Sequence, residues 1–254
     1  DNPWPARLES FKKFVEKFHP QSCKIEQRYE DNRDDEQSAG IKKVNVFYSN
    51  VTIIKESLYN SLPKPTATRV HKGEWDNDVA RVAATIVERA LTYEVANAPD
   101  FDAAIKSAIV DRLVPGMGTV WINFNPADGD QTEHLTVDTV YWKDFIYEPQ
   151  RTWELVTWAG RKLYVTPEVA KQKYGENAVP SENSGKMAGD TVESAIADGK
   201  ICIIQMWDKT TRKIIHMTTS GTVLTTTDDP LKLKKFFPCP KPLIASPPTR
   251  KFLP

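Results

Sequence analysis

An α+β fold is predicted by three features of the 254-residue chain. Apolar residues recur at helical spacing through the first 115 or so residues, the pattern switches to alternation at Pro115-Gly116-Met117-Gly118, and turn-punctuated extended segments follow to about Thr227. Helices therefore come first and strands second, which separates this class from alternating α/β.

Leu8, Phe11, Val15 and Phe18 lie three to four apart among lysines and a glutamate, so a short amphipathic helix over 8–18, ending before Pro20, is expected. The acidic stretch Glu30 to Glu36 reads as a solvated loop. Ile41, Val44, Tyr48, Val51, Ile54 and Leu58 give a longer helix with one buried stripe, which must stop by Leu62 because Pro63 and Pro65 follow. The next helix opens with Asp76 or Asn77 as its cap and carries Val79, Val82, Ile86, Ala90 and Tyr93 on one face, opposite Arg81, Glu88 and Arg89. After Pro99, another helix has Asp100 and Asp102 near the positive end of its dipole and is expected to bury Phe101, Ile105, Ile109 and Leu113.

Gly116 and Gly118 permit the turn into the alternating run TVWINFNP. Further strands are expected at 134–140, 144–148 and 159–165, then a short helix with Thr166 as cap, Pro167 in its first turn and Gly175 at its end. Asn177 to Thr191, rich in Ser, Gly, Asn and Pro, reads as a mobile loop or linker. Lys200–Trp207, Lys213–Thr219 and Thr222–Thr227 form a β-meander with turns at 208–212 and Ser220-Gly221. The organisation is thus 1–115 helical, 116–229 β-rich with the loop near 177–191, and 230–254 an extended connector. Seven prolines lie in that last segment, where each fixes φ and removes a donor, so neither an ordinary helix nor a central strand is expected. The proline-rich ending and the Asp-Asn-Pro opening lead us to expect one portion of a longer polypeptide.

Lys plus Arg and Asp plus Glu number 34 each, so no global field draws the chain to nucleic acid or anionic lipid. The longest apolar stretch, Ile201 to Ile204, is far below the roughly 20 residues of a bilayer span. No membrane partner is expected. Cys23, Cys202 and Cys239 are odd in number and scattered, which suggests reduced thiols and no disulfide scaffold.

No residue pattern assembles a recognisable catalytic site. Gly116-Met117-Gly118 leads into a strand and lacks the phosphate-loop spacing. The histidines at 19, 71, 134 and 216 never pair at metal spacing, and no G-x-S-x-G elbow is present. No metal or cofactor is expected. Pro99-Asp100 and Asp198-Gly199-Lys200 supply the letters of a PD-(D/E)-x-K nuclease, whose two carboxylates and lysine would converge on a metal beside a phosphate, but almost a hundred residues separate the halves. The candidate interface or DNA-proximal residues are Lys232, Lys234, Lys235, Phe236 and Phe237, with Lys241, Arg250, Lys251 and Phe252 beyond. Such lysines suit a phosphate backbone; the favoured alternative is that they flank a hydrophobic anchor. Trp142, Trp153 and Trp158 lie close together and read as core by default, with an interface as the other option.

Three stretches resemble the portal proteins, or head-to-tail connectors, of tailed bacteriophages, particularly the short-tailed kind. PDFDAAIKSAIVDRLVPGMGTVWINF is similar to the portal pattern of a helix ending in a Gly-x-Gly turn before a strand. VDTVYWKDFIYEPQRTWELVTWAGRKLYVTPEVAKQKYG resembles a portal segment with Asp-Phe, a Pro, a Trp, Gly-Arg and a short helix. The third is ICIIQMWDKTTRKIIHMTTSGTVLTTTDDPLKLKKFFPCPKPL, with its Trp-ended strand, hairpin and Phe-Pro-Cys-Pro run. The likeness is one of pattern and order, covering most of the chain after about Asn45. It implies a non-enzymatic structural subunit of the virion, assembled in the host bacterial cytoplasm into a ring, usually of about twelve copies, at one capsid vertex. Such a ring passes double-stranded DNA during packaging and ejection, docks the terminase, sits in the capsid protein shell and binds tail or adaptor proteins. This portion resembles the N-terminal, wing-forming half; the family's stem, clip and crown would lie mainly beyond Pro254, and no residue-level role is carried over. The rivals are a metal-dependent phage nuclease and another virion component, an adaptor or capsid protein.

Overall fold

The computed structural model describes residues 2–31, 44–68, 78–98, 100–126, 133–178, 199–229, 232 and 236–244. Within them the α+β class holds, with helices first and antiparallel strands after.

The N-terminal expectation needs correction. Helix α1, Trp4–Val15, is followed by a second helix, α2, Phe18–Tyr29. Pro20 does not end a helix; it lies in the first turn of α2, where its missing N–H had no partner to lose. Trp4, Leu8, Phe11 and Val15 form the buried stripe of α1, while α2 buries Ser22, whose hydroxyl donates to the Pro115 carbonyl at 2.8 Å. Of the acidic stretch, 32–36 lie outside the described residues.

Helix α3, Val46–Leu58, is capped by Asn45, whose side chain accepts from the Tyr48 N–H. Ile41 lies outside the described residues, and of the other stripe positions only Val51 is buried. Helix α4, Asp78–Asn97, spans the expected stripe positions, but its expected cap lies outside the described residues and it buries no residue at all. Helix α5, Phe101–Leu113, buries Ala104, Ala108 and Ile109, whereas Phe101, Ile105 and Leu113 are only half-buried. Small residues face the sheet because the approach there is so close. A Cβ added to Gly118 would fall 1.8 Å from the Ala108 carbonyl oxygen. Gly118 is thus a close-approach glycine, and only Gly116, at φ +103°, uses the conformational freedom expected of both.

The strands form two sheets. One has the order β2-β1-β8, from β1 (Met117–Asn125), β2 (His134–Val140) and β8 (Leu243–Ile244). The other has the order β3-β4-β5-β6-β7, from β3 (Phe145–Tyr147), β4 (Trp158–Val165), β5 (Ile201–Asp208), β6 (Lys213–Thr218) and β7 (Val223–Asp228). Every pairing is antiparallel, and the expected meander is β5-β6-β7. The short helix α6, Pro167–Tyr174, has Thr166 at its cap position and ends at Gly175 with φ +86°. The loop expected at 177–191 lies outside the described residues from 179 onward.

Of the proline-rich segment only Lys232 and 236–244 are among the described residues, and they contain a strand that the spacing gives no sign of. β8 adds two residues to the edge of β1, with Met117 opposite Ile244 and Gly118 opposite Leu243, and the Ile122 N–H donates to the Pro238 carbonyl at 3.0 Å. Edge pairing of two residues is what proline permits.

One core unites the helical and β-rich parts: Trp4, Leu8, Phe11 and Val15 of α1 pack with Met117, Trp121, Phe145, Tyr147, Trp158, Met206, Trp207, Met217 and Phe236. The change of secondary structure at 115/116 is therefore no break in packing. Trp142 and Trp158 are buried and Trp153 is packed against the core, so the tryptophan group is interior.

Candidate functional site

Cross-strand register lines up one polar row. Arg161 lies opposite Gln205, Gln205 opposite His216 and His216 opposite Thr225. The row is joined by side chains: Arg161 Nε donates to Gln205 Oε1 at 3.2 Å, Gln205 Nε2 meets His216 Nε2 at 3.3 Å, and Thr225 Oγ1 meets His216 Nδ1 at 3.4 Å. At its β4 end the Arg161 guanidinium crosses to the other sheet. Nη1 donates to Asp138 at 2.8 Å, Nη2 to Asn123 at 2.8 Å, and the fork lies 4.9 Å from the Trp121 ring. Each of the three guanidinium nitrogens thus has a hydrogen-bond partner, as a buried cation requires, and Arg161 clamps the two sheets together.

A cleft of about 450 Å³ opens beside this clamp, and Asp100, Asp138, Asp144, Arg161, Lys162 and Tyr164 are among its walls. Its charges face one another. Lys162 lies 3.5 Å from Asp144 and donates to the Lys143 carbonyl, and the Tyr164 hydroxyl donates to Asp144 at 2.7 Å. Burial, reinforced by Lys173 and Arg161, pushes His216 down to about 4, which makes it a weak base at neutral pH. The nuclease pattern is split: Asp100 lines the cleft, while Asp198 lies outside the described residues. Among the described residues no group of three or more His, Cys, Asp or Glu is placed to hold a metal ion.

A second buried hub sits where α2 meets α5 and the turn before β3. Glu26 accepts from the Tyr141 hydroxyl at 2.7 and 2.8 Å and from the Trp142 indole N–H at 3.1 Å, and lies 3.5 Å from Lys143 Nζ. Burial first, and the Glu26 carboxylate second, hold the Tyr141 phenol well above its ordinary range. Close by, burial and repulsion from Glu26 push the Asp111 carboxyl up to about 7, against the pull of a Trp142 backbone hydrogen bond. Asp111 Oδ2 is buried with no hydrogen-bond partner among the described residues. The sequence carries no signal for this hub, because Glu26 lies more than a hundred residues from Tyr141 and Trp142 in the chain.

The tail residues separate. Lys232 is exposed, Lys234 and Lys235 lie outside the described residues, and Phe236 and Phe237 are buried. Phe236 packs edge-on against Trp207 at 5.2 Å, with Arg212 over its ring at 5.3 Å, and Phe237 meets Trp153 at 5.5 Å. The phenylalanines are therefore the anchor of the strap in this chain's own core, and their rings are not offered to another surface. Cys202 and Cys239 are buried thiols that burial pushes up to about 12, and Cys23 is half-buried.

What remains open to a partner is apolar and helical. On α3, Val46, Phe47, Ile53, Ile54 and Leu58 are 38–63 % exposed, and on α4, Val79, Val82, Ile86, Val87, Leu91 and Tyr93 are 45–79 % exposed. No helix among the described residues is long and apolar enough to cross a membrane. In comparisons with known proteins, no family model and no curated protein matches the chain.

Proposed function

We propose that this chain is a structural, non-enzymatic subunit of the portal ring of a tailed bacteriophage, forming part of the capsid-vertex channel through which DNA is packaged and ejected. The ring of about twelve copies would seat terminase and tail or adaptor proteins. The observation that carries this reading, beside the resemblance of three long stretches to portal proteins, is the open apolar face of α4. A 20-residue helix that buries nothing against its own chain gains little from packing, and isolated helices are marginal in water. Such a helix belongs to a subunit completed by neighbours. The Arg161 clamp between the sheets and the interior Phe236 anchor supply the packed body on which those faces are carried.

The mass of the assembly formed by the full-length protein, measured by native mass spectrometry or particle imaging without DNA or other phage proteins, tests this. A closed ring of about a dozen copies is expected, and a stable monomer or dimer at high concentration would sink the reading.

A metal-dependent nuclease is the second reading, favoured by the single observation that Asp100, Asp138 and Asp144 line one cleft. It meets two difficulties: among the described residues no three such carboxylates are grouped closely enough to hold a metal ion, and Asp138 and Asp144 are already engaged by Arg161 and Lys162. Cleavage of duplex DNA with Mg²⁺ that disappears in Asp100→Ala would establish it.

A further inference from the structure

The five stripe positions of α4, Val79, Val82, Ile86, Ala90 and Tyr93, follow one another at spacings of three, four, four and three, which is the seam of a helix that packs lengthwise on another helix. All five are exposed. Val46, Phe47, Ile53, Ile54 and Leu58 fall within about two fifths of the circumference of α3 beside buried Val51, so α3 is held by one edge of its apolar arc and shows the rest to solvent. Each chain therefore carries two apolar helical faces of similar length and no cover for either among the described residues.

Each face presents on the order of 500 Å² of apolar surface, at the upper end of what a monomer exposes, and one face from each copy together reach the roughly 1,000 Å² total that a specific interface must clear. Charge favours a second copy of the same chain as the occupant. On α4, Asp78, Glu88 and Glu94 oppose Arg81 and Arg89, with Asp78 and Arg81 already paired at 2.9 Å, and on α3 Lys55 and Glu56 pair at 3.0 Å. Neither helix brings a like-charge block against the other, whereas a strongly basic or acidic partner would find no complement here.

From these faces we infer that α4 of one copy docks along α3 of the next. The two faces are different surfaces of one subunit, so the contact is heterologous and repeats around a ring instead of closing a two-fold pair. This assignment rests on the ring reading above and names the surface that makes it.

The test uses the full-length protein with Ile86→Glu on α4 and Ile54→Glu on α3, beside the unaltered chain. Ile86 and Ile54 are 61 % and 45 % exposed, so neither change disturbs the core, and an unchanged circular dichroism spectrum and melting temperature verify that. Each variant is expected to weaken assembly at least about tenfold in the concentration needed. Ile86→Cys and Ile54→Cys chains, one isotope-labelled, are then mixed and oxidised. In a Cys23→Ser background, which removes the half-buried thiol, disulfides joining position 86 of one chain to position 54 of the other are expected, with the buried Cys202 and Cys239 silent. Unaltered rings in both Glu variants would overturn the α4-on-α3 contact and leave the ring reading standing. Links only between two copies of position 86, or only within one chain, would overturn it as well. An unaltered protein that stays monomeric would remove the ring reading and this contact together.

Discussion

Asp111 is a carboxylic acid in a place that resists its ionisation: it is buried, Glu26 is near, and one oxygen has no hydrogen-bond partner among the described residues. Its folded value of about 7 exceeds the ordinary carboxyl value, so the native state holds this proton more tightly than the unfolded chain does. Stability from this group is complete below pH ~4, falls as pH rises from there through about 7, and is then flat, a span on the order of a few kcal/mol. His19 and His216, both driven down to about 4 chiefly by burial, act in the opposite sense, because they must take up protons as pH falls from 6.5 towards 4. The net curve conceals Asp111, but the difference from Asp111→Asn exposes it. Denaturant melts are expected to show the variant gaining on the parent between pH 5 and 7 and then running parallel; a constant offset across that range would refute the assignment. The two glycines of the 116–118 turn make a sharper pair. Gly118→Ala places a methyl 1.8 Å from the Ala108 carbonyl, so β1 and α5 must part and a loss of about 2 kcal/mol or more is expected. Gly116→Ala meets nothing closer than Phe18 Cε2 at 3.8 Å and carries only the strain of φ +103°, about 1 kcal/mol. Equal losses in thermal melts would contradict this division of roles.

Elements with their own periodicity were legible in the sequence, and elements defined by a distant partner were not. Helices α3 to α6 and strands β2 to β7 sit close to where alternation or 3.6-residue spacing puts them. Helix α2 was hidden by Pro20, which breaks a helix interior but not a first turn. β8 was hidden because two residues carry no period; only β1 defines them as a strand. The spacing on α3 reports a true stripe, yet only Val51 of it is buried, since spacing reports a face and is silent on what covers it. The candidate site was the least legible part. Arg161, Asp138 and Asn123 meet only after the two sheets pack, and the Glu26 hub joins residues from α2 and the turn before β3. The strap was half legible: the Phe pair was a sound anchor, and its partners Trp207 and Trp153 were beyond reach. Phe236 holds a φ of 62°, a left-handed conformation that costs a bulky residue energy, and burial of its ring outweighs that cost. Phe236→Ala keeps the strain and loses the ring, so a loss of about 3–5 kcal/mol is expected. Hydrogen exchange locates the effect: the Ile122 N–H, bonded to the Pro238 carbonyl, loses protection at lower denaturant than the β4–β5 amides. Simultaneous loss at both places would mean that the strap is not a separable element.

At the scale of the whole molecule, charge decides how the protein can treat DNA. Thirty-four cations against 34 anions leave a formal net charge of +0, and within the described residues Arg161, Lys162 and Lys143 are tied to Asp138, Asp144 and Glu26. A surface that grips DNA needs cations left over to replace the phosphate counterions, and each such contact steepens the salt dependence by about 0.9 in log–log slope. A wall past which DNA must slide needs the reverse, because contacts that hold also resist motion. The assembled protein is accordingly expected to bind linear duplex DNA weakly at physiological salt, with a slope of magnitude below about 3, measured by fluorescence anisotropy between 50 and 200 mM salt. A slope of about 6 or more would mean that a basic surface gathers in the assembly and would count against the proposed conduit. Adding Mg²⁺ to the same samples separates the enzymatic rival: intact DNA after prolonged incubation agrees with a conduit, and cleavage abolished by Asp100→Ala would replace the conduit with a nuclease built around the acidic cleft.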